Sequence, residues 1–156
     1  MLALAEARAR ILAALHPTGA ETVPLPEAWN RVLASPVTAR LTQPPADVSA
    51  MDGYAVRAAD ATAGARLAVV GSAPAGHPFA GRVGAGEAVR IFTGAILPEG
   101  ADAILLQEDA IAADGAVTVS ESVCAGRWIR RRGLDFAAGD VLVAAGRRLT
   151  ARDSGL

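Results

Sequence analysis

The sequence predicts a mainly β, α+β fold opened by a single helix, and three observations carry that expectation. Only the first fifteen residues show an apolar stripe at helical spacing. From Tyr54 onward, short apolar or alternating runs recur between glycines and prolines, the pattern of a sandwich or barrel. Apolar residues make up 52% of the 156 positions, enough to bury a core in one ordinary domain or two small ones.

In the opening stretch MLALAEARARILAALHP, Leu4, Ile11, Leu12 and Leu15, with Ala7 between them, fall on one helical face. Glu6, Arg8 and Arg10 interrupt the run that a signal peptide or membrane helix would need, so a soluble amphipathic helix is expected. Its stripe needs a partner or a sheet to cover it. Pro17 and Gly19 end the pattern. Trp29 to Ala39 reads as a short helix and then, past Pro36, a strand. Pro44-Pro45 sets an extended approach to Asp52-Gly53, a turn pair.

The strands expected next are YAV, RLAVVG, AVRIFTG, ADAILLQED, AVTVS, RWIR and DVLVAAG. Between them, Ala75 to Val89 holds four glycines and a proline, and Pro98 to Gly100 is a further chain reversal. Gly84-Ala85-Gly86 is a loop and not a nucleotide fingerprint, because no helical periodicity follows it. The final LTARDSGL opens like a helix with Thr150 or Asp153 as N-cap, which makes the chain look like the N-terminal part of something longer.

Composition narrows the function. The formal net charge of −1 provides no global positive field to recruit nucleic acid or anionic lipid. All fifteen basic residues are arginine, which goes with the alanine enrichment as a bias of composition. Cys124 is the only cysteine. It excludes an intrachain disulfide and a cysteine-rich zinc site, suits a reducing cytoplasm, and reads as a packing residue.

Three segments could carry chemistry. PPADVSAMDGYAVR (Pro44 to Arg57) displays Asp47, Ser49 and Asp52 on a rigid loop. Mg²⁺ is bound by one or two such carboxylates, with water and phosphates completing its shell. The alternative is an Asx-type turn at Asp52 and a backbone cap at Ser49. In the second segment, Val89 to Asp109, a strand ends at Thr93-Gly94, where a hydroxyl and backbone N–H groups could hold an oxyanion, or simply end a strand. The third, Gly126 to Val143, concentrates Arg127, Arg130, Arg131 and Arg132. Their guanidinium forks suit oxyanions, although a solvated or ion-paired face serves equally well. In a strand, Arg130 and Arg132 would share one face and Arg131 the other. Asp135 is a further carboxylate in the turn after Gly133.

Taken together and in order, SAMDGYAVR, RIFTGAILPEGADAILLQED and IRRRGLDFAAGDVL closely resemble the signature stretches of the N-terminal and linker region of the molybdopterin molybdenumtransferase (MoeA) family, which includes the E domain of gephyrin. The similarity runs from the first helix to Leu156. It implies a MoeA N-terminal-region-like fold: a discontinuous dimerisation domain of residues 1–42 and 126–156, and an inserted β-rich, barrel-like domain of 43–125. On this resemblance the family's pterin-binding domains would be absent from this chain. It also implies insertion of molybdenum from molybdate into adenylylated molybdopterin, with release of AMP and with Mg²⁺ as cofactor. The implied partners are a second copy in a cytoplasmic homodimer and the molybdopterin adenylyltransferase that supplies the substrate, with neither nucleic acid nor membrane involved.

By the same resemblance the functional residues are Asp52, Thr93 and Asp135. Asp52 and Asp135 would bind the metal directly or through water, and Ser49, Gly94 and Arg130 would contact substrate. Two positions depart from the family pattern: Val48 stands where asparagine is usual, and Leu134 replaces the glutamate beside Asp135. This fragment alone is expected to be inactive. A non-catalytic dimeric scaffold is the competing reading. A free-standing Mg²⁺-dependent phosphohydrolase is disfavoured, because no histidine or nucleophile accompanies the acids.

Overall fold

The computed structural model describes residues 2–16 and 18–155. Among them the chain forms one α-helix, α1 (Leu4–Ala13), and ten strands. In chain order these are β1 (Val37–Thr38), β2 (Val48–Ser49), β3 (Gly53–Val56), β4 (Arg66–Ala73), β5 (Glu87–Ile91), β6 (Ala103–Leu106), β7 (Ala110–Ala113), β8 (Ala116–Val119), β9 (Ile129–Arg130) and β10 (Val141–Val143). Among the described residues no helix is long and apolar enough to cross a membrane. The mainly β fold with one leading helix is the one the sequence predicts. Pro17, expected to stop that helix, lies outside the described residues, as does Leu156.

The chain divides into two compact units, one comprising residues up to Val37 and from Val141 onward, the other Thr38–Asp140. In the first unit α1 is straightforward to explain. Glu6 in its first turn pairs with Arg10 in its last at 2.6 Å, each sign at the favourable end of the helix dipole. None of its described residues is buried, and Leu4, Ile11, Leu12 and Leu15 are all exposed. Among the described residues of this unit, only Ala28 and Val143 are buried apolar ones.

The short helix expected from Trp29 is displaced. A single 3-10 turn forms earlier, at Leu25–Glu27, where the ring of Pro26 presets φ. Asn30 then sits at φ 64°, which breaks any helix, and Val32 bridges Arg148 instead. At the other end of the chain, the Thr150 amide and hydroxyl both donate to Asp153 Oδ2, at 2.8 and 2.6 Å. A side chain reaching back to the N-cap amide is the geometry of a capping box, and it opens one 3-10 turn, Asp153–Gly155.

The second unit is built on a six-stranded sheet in the order β6-β3-β5-β4-β8-β7. All neighbours are antiparallel except β4 and β5. Its topology dictates its curvature. β6 and β7 lie at opposite edges, yet only Gln107–Asp109 separates them. Four residue steps span at most ~14 Å. The edges of a flat six-stranded sheet would lie ~24 Å apart. The sheet therefore curls into a half-barrel.

Both of its faces are covered. Tyr54, Val56, Leu67, Leu105 and Val117 pack on one side, and Ala55, Val89, Ile91 and Ile104 on the other. Strict alternation along β3 serves both cores, which is why its four residues read as an unbroken apolar run.

Three local departures have physical reasons. Gly53 is not a turn glycine. It begins β3, and a Cβ there would lie 2.0 Å from the Leu105 carbonyl oxygen on β6. β7 was not among the expected strands because alanines dominate it. Asp114-Gly115, both at positive φ (51° and 70°), is the two-residue turn that joins it to β8 with Ala113 opposite Ala116. The RWIR strand shortens to Ile129–Arg130 because Trp128 adopts φ 59°.

Candidate functional site

The three sequence segments meet at β2, a strand of only two residues. Ser49 pairs with Ile129 of the third segment, its carbonyl accepts from Gly94 N–H at 2.9 Å, and its amide donates to the Ala95 carbonyl at 2.9 Å. Among the described residues Ser49 is the buried polar one, 1% exposed. Its Oγ donates to the Met51 carbonyl at 2.6 Å, which tightens the turn that delivers Asp52. Ala50 N–H adds a bond to the carbonyl of Trp128, the residue at φ 59°, at 2.9 Å.

Asp52 stands at the rim, immediately before β3. Thr93, just past the end of β5, donates both its amide (2.8 Å) and its hydroxyl (2.7 Å) to Asp52 Oδ1. No hydrogen bond among the described residues reaches Oδ2. The Thr93 amide and then the Thr93 hydroxyl hold the Asp52 carboxyl below its usual range, against an opposing effect of burial that exceeds the further lowering by the Arg90 charge. It is therefore an anion at neutral pH. Gly94, at φ 81°, makes the turn after Thr93 possible. The N–H groups of Thr93, Gly94 and Ala95 are all engaged within the chain, so the turn is closed by its own bonds.

Asp135 lies in a second cluster. Its two carboxylate oxygens accept from Arg130 Nη2 at 2.8 and 2.7 Å, and its amide donates to the Gln43 carbonyl at 3.0 Å. Arg131 and the Arg132 amide both turn to Asp47, at 2.6 and 2.8 Å, because β9 ends at Arg130 and strand alternation stops there. The structure thus brings Asp52 to Thr93 and Asp135 to Arg130, as two separate bonded pairs. Leu134 is exposed, and Val48 is buried opposite Arg130. Among the described residues, no group of three or more His, Cys, Asp or Glu is placed to hold a metal ion.

Sequence reasoning passed over Asp47 as a carboxylate clamp and Arg90 altogether. The signal available for Arg90 was its place between Val89 and Ile91 in β5, three residues before Thr93.

The family model described as the MoeA N-terminal region (domain I and II) matches residues 2–156. The chain belongs to this family. Among similar proteins, the molybdopterin molybdenumtransferase of Haemophilus influenzae is 43% identical over 152 residues, 96% of this chain and 38% of that protein. That of Synechococcus elongatus is 41% identical over 141 residues, 86% of this chain and 35% of that protein. The crystal structure of a molybdopterin biosynthesis moeA protein from Pyrococcus horikoshii superposes with a TM-score of 0.80 at 34% identity, covering 86% of this chain and 37% of that one. The MoeA N-terminal fold is thereby the fold of this chain, and the chain spans a little over a third of the relatives it matches.

Proposed function

We propose that this chain is the N-terminal part of a molybdopterin molybdotransferase, which inserts molybdenum from molybdate into adenylylated molybdopterin. The observation that supports this reading best is the Asp52–Thr93 pair: an anionic carboxylate with one oxygen saturated by fixed donors and the other open. Mg²⁺ asks for one or two carboxylate oxygens and fills the rest of its shell with water and phosphate, so Asp52 fits as a direct ligand through Oδ2. Asp135, with both oxygens on Arg130, would act through water while presenting that guanidinium to an oxyanion. The cation, when bound, would offset the negative charge that develops as the adenylate leaves.

The chain's own residues position and screen. Thr93 aims the Asp52 carboxylate, Ser49 and Gly94 hold the turn, and Arg130 offers positive charge to the substrate. The dithiolene-bearing pterin would be held outside this chain. The exposed face of α1, on a unit with two buried apolar residues among those described, supports burial against a second copy in a homodimer. The supply of adenylylated substrate would come from the molybdopterin adenylyltransferase as partner. A cytoplasmic location accords with the unpaired, exposed Cys124.

The test is molybdate-dependent conversion of adenylylated molybdopterin by the complete gene product, with AMP release measured in the wild type and in Asp52→Asn. Absence of turnover in the wild type, or undiminished turnover in the variant, would overturn the proposal.

A further inference from the structure

Arg90 lies on β5, directly opposite Tyr54 on β3. Its guanidinium carbon stands over the Tyr54 ring, 5.2 Å from its centre, and over the Phe92 ring, 4.8 Å from its centre, so two aromatic rings hold the cation. There Nη1 donates to the Gly53 carbonyl at 3.1 Å and Nη2 to Gln107 Oε1 at 2.7 Å. The backbone N–H of Gln107 in turn donates to the carbonyl of Asp52 itself, at 3.3 Å. The two successive carbonyls at Asp52 and Gly53 are thus fixed from outside, one by Gln107 and the next by Arg90, which also holds Gln107.

From this geometry we propose that Arg90 is a positioning residue of the Asp52 site, a bracket that fixes where the carboxylate stands. The inference rests on the reading that Asp52 serves the reaction. The bracket needs a planar fork. Two donors a fixed distance apart reach two acceptors, one on β3 and one in the turn after β6, while the cation stays over the rings, which a lysine ammonium cannot reproduce. Arg90 touches no substrate in this scheme. It works by removing freedom from Asp52, and misplacing a reacting group by about 1 Å can cost on the order of a hundredfold in rate.

The experiment compares Arg90→Lys, Arg90→Met and Asp52→Asn in the complete gene product. It measures kcat and KM for molybdenum insertion, thermal unfolding, and amide hydrogen exchange at Thr93, Gln107 and Val117. The expected result is a kcat lower by roughly tenfold in Arg90→Lys and more in Arg90→Met, with KM within about twofold. Exchange should quicken at Thr93 and Gln107, whose amides bond Asp52, and stay unchanged at Val117 in the core. A purely structural Arg90 would instead lower the melting temperature and quicken exchange at Val117 as well, which overturns the proposal. Normal kcat in both Arg90 variants beside an inactive Asp52→Asn also overturns it and leaves the functional reading intact. A fully active Asp52→Asn overturns that reading instead. The bracket then stands if exchange quickens at Thr93 and Gln107 alone, and falls if it does not.

Discussion

Thr93 spends both of its donors on one oxygen of Asp52, the amide at 2.8 Å and the hydroxyl at 2.7 Å. Two strand ends far apart in sequence are thereby joined by a charge. The arrangement ionises the carboxyl more readily than water would, and leaves its other oxygen open. Thr93→Val keeps the shape and the amide bond but deletes the hydroxyl. The Asp52 carboxyl should then titrate at higher pH than in the wild type, and carbon-detected NMR of the side chain would show it. An unmoved titration would mean that the hydroxyl bond contributes nothing.

Asp52→Asn tests the charge itself. The amide oxygen can still accept from Thr93, so the fold should persist with a nearly unchanged melting temperature. Removing the anion should lower molybdenum insertion by about a hundredfold or more, the scale of losing one fixed electrostatic contact at a reacting centre. Activity and unfolding measured on the same preparation decide the matter. A large loss of stability with retained activity would make Asp52 a turn residue.

The exposed face of α1 should bring two copies together. Ile11→Asp with Leu15→Asp places charges on that face without touching any buried residue of the fold. Sedimentation velocity at micromolar concentration should show a dimer for the wild type and a monomer for the double variant, with the same circular dichroism. A monomeric wild type would remove the assignment.

Gly53→Ala should be among the most damaging single-carbon additions to this chain. The new methyl would meet the Leu105 carbonyl oxygen at 2.0 Å, and a backbone atom inside a sheet cannot step aside as a side chain can. Overpacking of this kind costs about 3 kcal/mol. Chemical denaturation is the measurement, and a loss under about 1 kcal/mol would show that β3 and β6 can part locally.

Gly53 also marks the limit of what the sequence could tell. The six-stranded sheet was legible because apolar alternation and glycine turns are local signals, and they located β3, β4, β5, β6 and β8 closely. β7 escaped because alanine carries little strand preference, although the Asp114-Gly115 pair marked its hairpin. The role of Gly53 depends on which carbonyl approaches it from β6, a long-range fact that no local pattern contains. The site divides in the same way. Asp52, Thr93 and Asp135 stood out through the resemblance of their motifs. The bonds from Thr93 to Asp52 and from Arg90 to Gly53 come from strand pairing across about forty residues of chain. Trp128 had no signal at all, since the left-handed region is where glycine and asparagine are expected.

Asp47 offers a pH test that is independent of catalysis. Its carboxylate accepts from the Arg132 amide at 2.8 Å and from Arg131 Nη1 at 2.6 Å, while its own carbonyl accepts from Leu97 N–H at 2.9 Å. The backbone bond from Arg132 and then the side-chain bond from Arg131 hold its carboxyl below the usual range, against an opposing effect of burial that exceeds the further lowering by the Arg131 charge. A depressed carboxyl contributes stability that is fully present above the unfolded-state value of about 3.9 and fades as pH falls through the lower folded-state value. Asp47→Asn should therefore unfold at lower urea concentration than the wild type at pH 7. The deficit should be only about 1 kcal/mol, because the Arg131 and Asp47 side chains are 59% and 32% exposed and the ion pair is screened. Between pH 7 and about 5 the gap should stay constant, and it should close as the pH drops below about 4. High salt should narrow it partly but not abolish it, since the bond from the Arg132 amide does not depend on a mobile charge. A gap that persists unchanged at pH 2.5 would show that Asp47 stabilises the chain through its shape and not its charge.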